Sequence, residues 1–378
     1  MRLILRNAQL ILKEAVVFGS IVIEDGIIAD IHHGAIHWQD GLDLDGDYLL
    51  PGLIDLHSDN LEKHLAPRPN VVWSGSLAAI AHDADVIGVG ITTVLDAIAL
   101  SGGKNGDRER LCHGMFQTLQ EAQDRDCLRA EHLLHIRCEL TDARIVERFE
   151  AVRNDPRVRM ISLMDHSPGQ RVFRDVAMWR DYRKKGRGMS DEALDEAFRR
   201  EVEAHKLYSA PNRAALGGIA KGQGFVVATH DDATRPDVLE GVSAGSTLAE
   251  FPTTLEAARC ARECGISNIL GAPNILRGNS HVDNVSALSC AAEGLLDILT
   301  SDYMPVSLLQ AAFKLARSNV GYDIPRSVAT VTCNPAEALG LRDRGEISVG
   351  KRADLLQVRE ARETPVVKRV WRNGSRVH

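Results

Sequence analysis

No stretch of about 18 consecutive apolar residues occurs in this sequence, which excludes a membrane-spanning helix. The mean hydropathy of -0.15 agrees. The first residues, Met1-Arg2-Leu3-Ile4-Leu5-Arg6-Asn7, alternate as a strand does and lack the apolar core and small-residue cleavage site of a secretory leader, so a cytoplasmic location is expected. Cysteine is sparse: seven residues, an odd number with no Cys-x-x-Cys pair, fit the same compartment. Cys260 and Cys264, four apart in a helical stretch, read as ordinary thiols. A Gly-x-Ser-x-Gly elbow and a glycine loop ending in Lys-Ser/Thr are both missing, so neither that serine nucleophile nor a phosphate-cradling P-loop supplies the chemistry. Positive charge is not in excess: 45 basic against 52 acidic residues give a net charge of -7. This argues against bulk nucleic-acid binding and leaves room for a small anion beside local arginines or metal ions.

What is present is a large apolar supply. With 378 residues, 44% hydrophobic and 26% charged, the chain can build a large core. From residue 51 onward, short apolar runs alternate with helix-compatible stretches, near Leu53 to Leu56, Ile91 to Asp96, Leu133 to Glu139, Arg159 to Asp165, Phe225 to Thr229, Ser246 to Phe251, Asn268 to Gly271 and Asp297 to Thr300. Eight such runs are the pattern of a (β/α)₈ TIM barrel, an α/β fold of about 250 residues. Residues 1–50 and 345–378 carry β and turn chemistry instead, and are expected to pair into one small β domain made from both chain ends, flanking a catalytic barrel over 51–344. One connection is too long for an ordinary βα link. About 168–213 it carries a basic insertion, with seven Arg or Lys from Arg171 to Arg187 against Asp175 and Asp181, then an amphipathic helix capped by Ser190. It reads either as a solvated excursion or as a lid over an anionic ligand.

Polar groups recur where the apolar runs end: His57 and Asp59, Asp96, Glu139, His166, His230 and Asp302. In a barrel those ends converge on one mouth, and three histidines with several carboxylates form the N/O donor set that Zn²⁺, Mn²⁺ or Fe²⁺ prefers.

These residues carry a resemblance. Pro51-Gly52-Leu53-Ile54-Asp55-Leu56-His57-Ser58-Asp59, with Asn334-Pro335-Ala336-Glu337-Ala338-Leu339-Gly340-Leu341 and Gly350-Lys351-Arg352-Ala353-Asp354-Leu355, resembles the first-strand and C-terminal motifs of the amidohydrolase superfamily. Ser162-Leu163-Met164-Asp165-His166-Ser167-Pro168-Gly169-Gln170, His230-Asp231-Asp232-Ala233-Thr234 and Glu250-Phe251-Pro252-Thr253-Thr254 are similar to a diphosphatase branch of that superfamily, which serves phosphonate breakdown in the carbon-phosphorus lyase pathway.

The resemblance implies one or two divalent metal ions, Mn, Mg, Zn or Fe, held by His57, Asp59, Glu139, His166, His230 and Asp302. Glu139 takes a bridging position, with a buried ion pair to Arg137 as its alternative. Asp59 stands where the usual motif has a second histidine, and shifts preference toward Mn²⁺ or Mg²⁺. Asp302 is the expected catalytic base. The implied substrate is a small sugar triphosphate, cleaved with release of pyrophosphate, and Lys63, Arg68, His82, Arg137, Arg171 and Arg277 are the expected substrate-binding residues. A metal-dependent deacylase or cyclic-amide hydrolase, acting with the same water on a carbonyl carbon, is the alternative. A homo-oligomer is a further expectation from the resemblance.

Overall fold

The computed structural model describes residues 2–35, 40–68, 71–73, 76–102, 107–278 and 284–378, apart from the side chains of Asp107 and Arg187. Among these residues the strands are β1 (Arg2–Ile11), β2 (Val16–Glu24), β3 (Ile27–His33), β4 (Leu42–Asp43), β5 (Tyr48–Pro51), β6 (Leu53–Ser58), β7 (Ile91–Leu100), β8 (Glu131–Glu139), β9 (Val158–Met164), β10 (Val226–His230), β11 (Leu248–Glu250), β12 (Ser267–Gly271), β13 (Ile298–Thr300), β14 (Leu355–Ala361), β15 (Thr364–Arg372) and β16 (Ser375–Arg376).

Strands β6 to β13 form a parallel sheet in sequential order, and a bridge between Ser58 and Asp302 closes it into a ring. Its strands are nearly continuous buried runs because one face fills the barrel and the other meets helices. Inside, Ile54, Leu56, Leu95, Leu133, Met160, Ala228, Leu248, Ile269 and Ile298 pack as one cluster with Ala336. All eight expected strands are present, with ends shifted by a few residues.

The second sheet joins the two chain ends. Its order is β16-β15-β14-β5-β1-β2-β3, with β4 beside β1, and the junction is the antiparallel pairing of Leu355 with Pro51 through Val358 with Tyr48. Its apolar face, including Leu5, Leu10, Ile21, Leu49, Leu355 and Trp371, forms a separate core. Gly90 marks close contact between sheet and barrel: a Cβ there would stand 2.6 Å from Leu356 Cδ1, at a φ of +93°.

The long connection between β9 and β10 folds into helices Val176–Arg187 and Asp191–Ala204. Asp175 and Ser190 cap them by accepting from Ala177 N and Ala193 N, and Gly188 ends the first in the left-handed region. Phe173, Trp179, Leu194 and Ala197 give this excursion its own small core. The helix Ala210–Gln223 packs Leu216 and Ala220 on the barrel as an ordinary crossover helix. Among the described residues no helix is long and apolar enough to cross a membrane.

Candidate active site

The carboxyl ends of the barrel strands open into a cavity of about 1520 Å³. Its wall includes His57 on β6 and Asp59 just after it, Arg137 and Glu139 on β8, His166 after β9, His230 and Asp231 at β10, and Asp302 after β13. Three residues that follow strand ends, Asp231, Phe251 and Asp302, hold φ between 56° and 58°. That conformation is costly for phenylalanine and turns the chain sharply at the rim.

Two groups of donors meet there. His57, Asp59 and Asp302 each offer an atom within 4.8 Å of the others, and so do His166, His230 and Asp231. Main-chain bonds tie the first group together, since Asp59 N donates to Asp302 O at 2.7 Å and Asp302 N to His57 O at 3.0 Å. Both histidines at the junction are oriented by one carboxylate. Glu250 accepts from His57 Nδ1 at 2.7 Å and from His230 Nδ1 at 2.6 Å, with Ser162 Oγ donating to it at 2.7 Å. The ring of Phe251 stands edge-on to both imidazoles, 5.2 and 5.6 Å away between centroids.

The charges are unbalanced in a way that suits a cation. Burial opposes the charged form of His57, yet Glu250 and Asp59 push its pKa up to about 10. Burial likewise opposes charge on His166, and Glu139 and Asp231 carry it up to about 10. Glu250, against its own burial, is held well below the usual carboxylate range by His57 and His135. His57 Nε2 is buried without a hydrogen-bond partner, 3.5 Å from Asp59 Oδ1. An orphaned imidazole nitrogen beside carboxylates, its other nitrogen donating to a further carboxylate, is the environment of a metal-binding histidine. The residues present fit a divalent ion.

All six expected ligands line the cavity, and the alternative weighed for Glu139, an ion pair with Arg137, is not formed. Arg137 does not pair with Glu139; its Nη1 donates to both oxygens of Asp59, at 2.9 and 2.8 Å. Glu139 Oε2 instead accepts from His166 Nδ1 at 2.8 Å. Residues 137 and 139 share one face of a strand, and the long guanidinium arm reaches across to the end of β6. Of the expected substrate-binding residues, Arg137 and Arg277 line the cavity, whereas Lys63, Arg68, His82 and Arg171 do not. Lys63 and Arg68 are exposed and off the cavity wall. His82 is fully buried between Asp96 and Asn60. Arg171 is buried beneath β10, where it pairs with Asp232 and donates to the carbonyl of His230 at 3.2 Å.

Sequence reasoning missed Glu250, Asp231 and Phe251, and the wall residues Arg108 and Arg200, whereas Arg183 belongs to the basic run read as a possible lid. Glu250 and Asp231 carried the same signal as Asp302, a carboxylate where an apolar run ends. Arg108 and Arg200 gave none, because each reaches the wall from a helix, Asp107–Asp124 or Asp191–Ala204, whose packing no strand-end pattern reports.

Comparison with known proteins places this architecture. The curated alpha-D-ribose 1-methylphosphonate 5-triphosphate diphosphatase of Escherichia coli (strain K12) is 42% identical over 377 residues, covering 99% of this chain and 100% of that protein. Among solved structures, N-acetylglucosamine-6-phosphate deacetylase from Pasteurella multocida matches all of this chain and 99% of its own at a TM-score of 0.62 and 14% identity. The 5-methylcytosine deaminase from Klebsiella pneumoniae matches all of this chain and 98% of its own at 0.65 and 15%. At those identities the structures speak for the fold alone. The amidohydrolase family pattern matches residues 48–377, from the last strand before the barrel to the end of the companion sheet. This chain belongs to the amidohydrolase family.

Proposed function

We propose that the protein hydrolyses alpha-D-ribose 1-methylphosphonate 5-triphosphate to the 5-phosphate and pyrophosphate, in the cytoplasm, as a step of phosphonate breakdown. The observation that carries this reading is a paired set of metal donors at the floor of a cavity whose wall includes Arg108, Arg137, Arg183, Arg200 and Arg277. A substrate with a triphosphate at one end and a phosphonate at the other needs both. The relative of the same length and 42% identity bears that activity in its name. A carbonyl-directed amide hydrolase has no comparable need for a ring of guanidinium groups. In this reading residues 51–344 are the catalytic unit, and 1–50 with 345–378 its companion.

His57, Asp59 and Asp302 would hold one divalent ion, and Glu139, His166, His230 and Asp231 a second. Such an ion lowers the pKa of bound water from 15.7 toward about 7 and offsets phosphate charge. Asp302 accepts the proton of the water that attacks the α-phosphorus. Glu250 keeps His57 and His230 in the tautomer that leaves Nε2 as a donor of electrons. Arg137 neutralises Asp59, so the cavity does not repel an anion. Phe251 limits water beside the imidazoles.

Hydrolysis in ¹⁸O-water followed by ³¹P NMR tests the reading. Label in the sugar 5-phosphate is expected. Label in pyrophosphate would place attack at the β-phosphorus, and absence of pyrophosphate among the products would return the amide-hydrolase alternative.

A further inference from the structure

We infer that Arg183 and Arg200, on the two helices of the excursion, bind the departing pyrophosphate. This rests on the diphosphatase reading and adds a direction to it. Phosphoryl transfer requires the attacking and leaving oxygens to lie roughly in line through phosphorus. The proton acceptor for the attacking water, Asp302, follows β13. In a closed ring of eight sequential strands, β13 and β9 are four apart and so face each other across the barrel. The oxygen opposite Asp302 therefore departs toward β9, and the segment that follows β9 is the excursion.

The wall on that side contains Tyr182, Arg183, Met189, Arg200 and Glu201. Arg183 is half-buried and held in place, its Nη2 donating to Glu201 at 3.0 Å and its guanidinium standing 5.4 Å from the Trp179 ring centroid. Arg200 is exposed, with Nη2 3.8 Å from Glu201. Glu201 lies between the two guanidinium groups and aligns both toward the same side of the cavity. Because the helices share a core of Phe173, Trp179, Leu194 and Ala197, their backbones and the Arg183 side chain are placed before substrate arrives, which reduces the ordering entropy spent on binding. In the step itself the water oxygen bonds to the α-phosphorus and the bond to the bridging oxygen breaks. The electron pair leaves with the pyrophosphate, and the water proton passes to Asp302.

Product inhibition separates the two sides of the cavity. With divalent ion in excess, inhibition by inorganic pyrophosphate and by the 5-phosphate product is measured for wild type, Arg200→Gln and Arg200→Lys. Loss of one charge-assisted hydrogen bond predicts that Arg200→Gln raises the pyrophosphate inhibition constant about tenfold and moves the 5-phosphate constant by less than about twofold, with Arg200→Lys recovering most of the difference. Arg183→Gln is expected to act in the same sense, but it also disturbs the Trp179 contact, so Arg200 decides. A shift confined to the 5-phosphate constant, or no shift in either, overturns the inference. ¹⁸O label in pyrophosphate also overturns it, since attack at the β-phosphorus reverses which product departs. Wild-type protein that releases no pyrophosphate from the sugar triphosphate defeats the underlying reading, whereas normal release with an unmoved pyrophosphate constant defeats only the placement.

Discussion

Glu250 Oε1 accepts from His57 Nδ1 at 2.7 Å, while its other oxygen takes His230 Nδ1. One buried carboxylate thus sets two histidines that arrive on β6 and β10, far apart in sequence and adjacent at the mouth. Glu250→Gln keeps the shape and removes the charge, and an amide cannot accept from both rings. Metal content after dialysis, read by elemental analysis, should fall with an affinity loss of about 10 to 100-fold, with the circular dichroism spectrum retained. Full metal occupancy in this variant would remove Glu250 from the orienting role.

Asp302 combines a chemical and a conformational demand. In the proposed mechanism its carboxylate takes the proton, and its φ of 58° lies where asparagine is tolerated and alanine is strained. Asp302→Asn should fold normally and lose activity by about 10² to 10⁴-fold. Asp302→Ala should lose a further 1–2 kcal/mol or so of stability by thermal melting. Equal melting temperatures for the two variants would show that the backbone there is not under that constraint.

The fully buried Trp179 anchors the excursion. Replacing it with alanine should cost about 3–5 kcal/mol locally, since its cavity cannot collapse fully between two short helices. Limited proteolysis should then cut within residues 171–209 while the barrel persists, and KM for the triphosphate should rise more than kcat falls. Cleavage elsewhere first would show that the excursion is not a separately stabilised unit.

A pH dependence of stability is set away from the cavity, by a buried row in which His82 Nε2 and His132 Nδ1 donate to Asp96 at 2.6 and 2.8 Å. Burial opposes charge on His132, but Asp96 and Asp83 raise its pKa to about 9. A pKa raised above the unfolded value of about 6.5 contributes stability that is complete below that pH and lost as pH climbs through 9. The stability difference between wild type and His132→Asn should therefore be largest near pH 6, on the order of 1–3 kcal/mol, and disappear toward pH 10. A difference that grows with pH would mean that His132 is neutral in the fold.

Much of the site was legible because a barrel obeys a simple rule. An apolar run that ends in a polar group points that residue to the mouth, and His57, Asp59, Glu139, His166, His230 and Asp302 do line the cavity, whereas Asp96, read by the same rule, lies inside β7 and is buried against His82 and His132. The same rule misleads one step outward. Lys63 and Arg68 follow β6 closely, yet Lys63, on the helix Asn60–Leu65, and Arg68 beyond it are exposed and do not line the cavity. Arg171 follows His166 closely, yet it turns under β10 to brace Asp232. A few residues beyond a strand end, side-chain direction depends on the local turn, which short-range pattern does not encode.

By itself the sequence determined the eight buried strands, the β character of both chain ends, and the residue types at the mouth. These follow from local periodicity and from the burial that a parallel ring imposes. Only the tertiary structure decided who pairs with whom: Glu250 with two histidines, Arg137 with Asp59 rather than Glu139, and the excursion's arginines with the wall facing Asp302. Those choices arise when ring closure brings distant strands within the few ångströms at which hydrogen bonds and charges act, and no sequence spacing measures that distance.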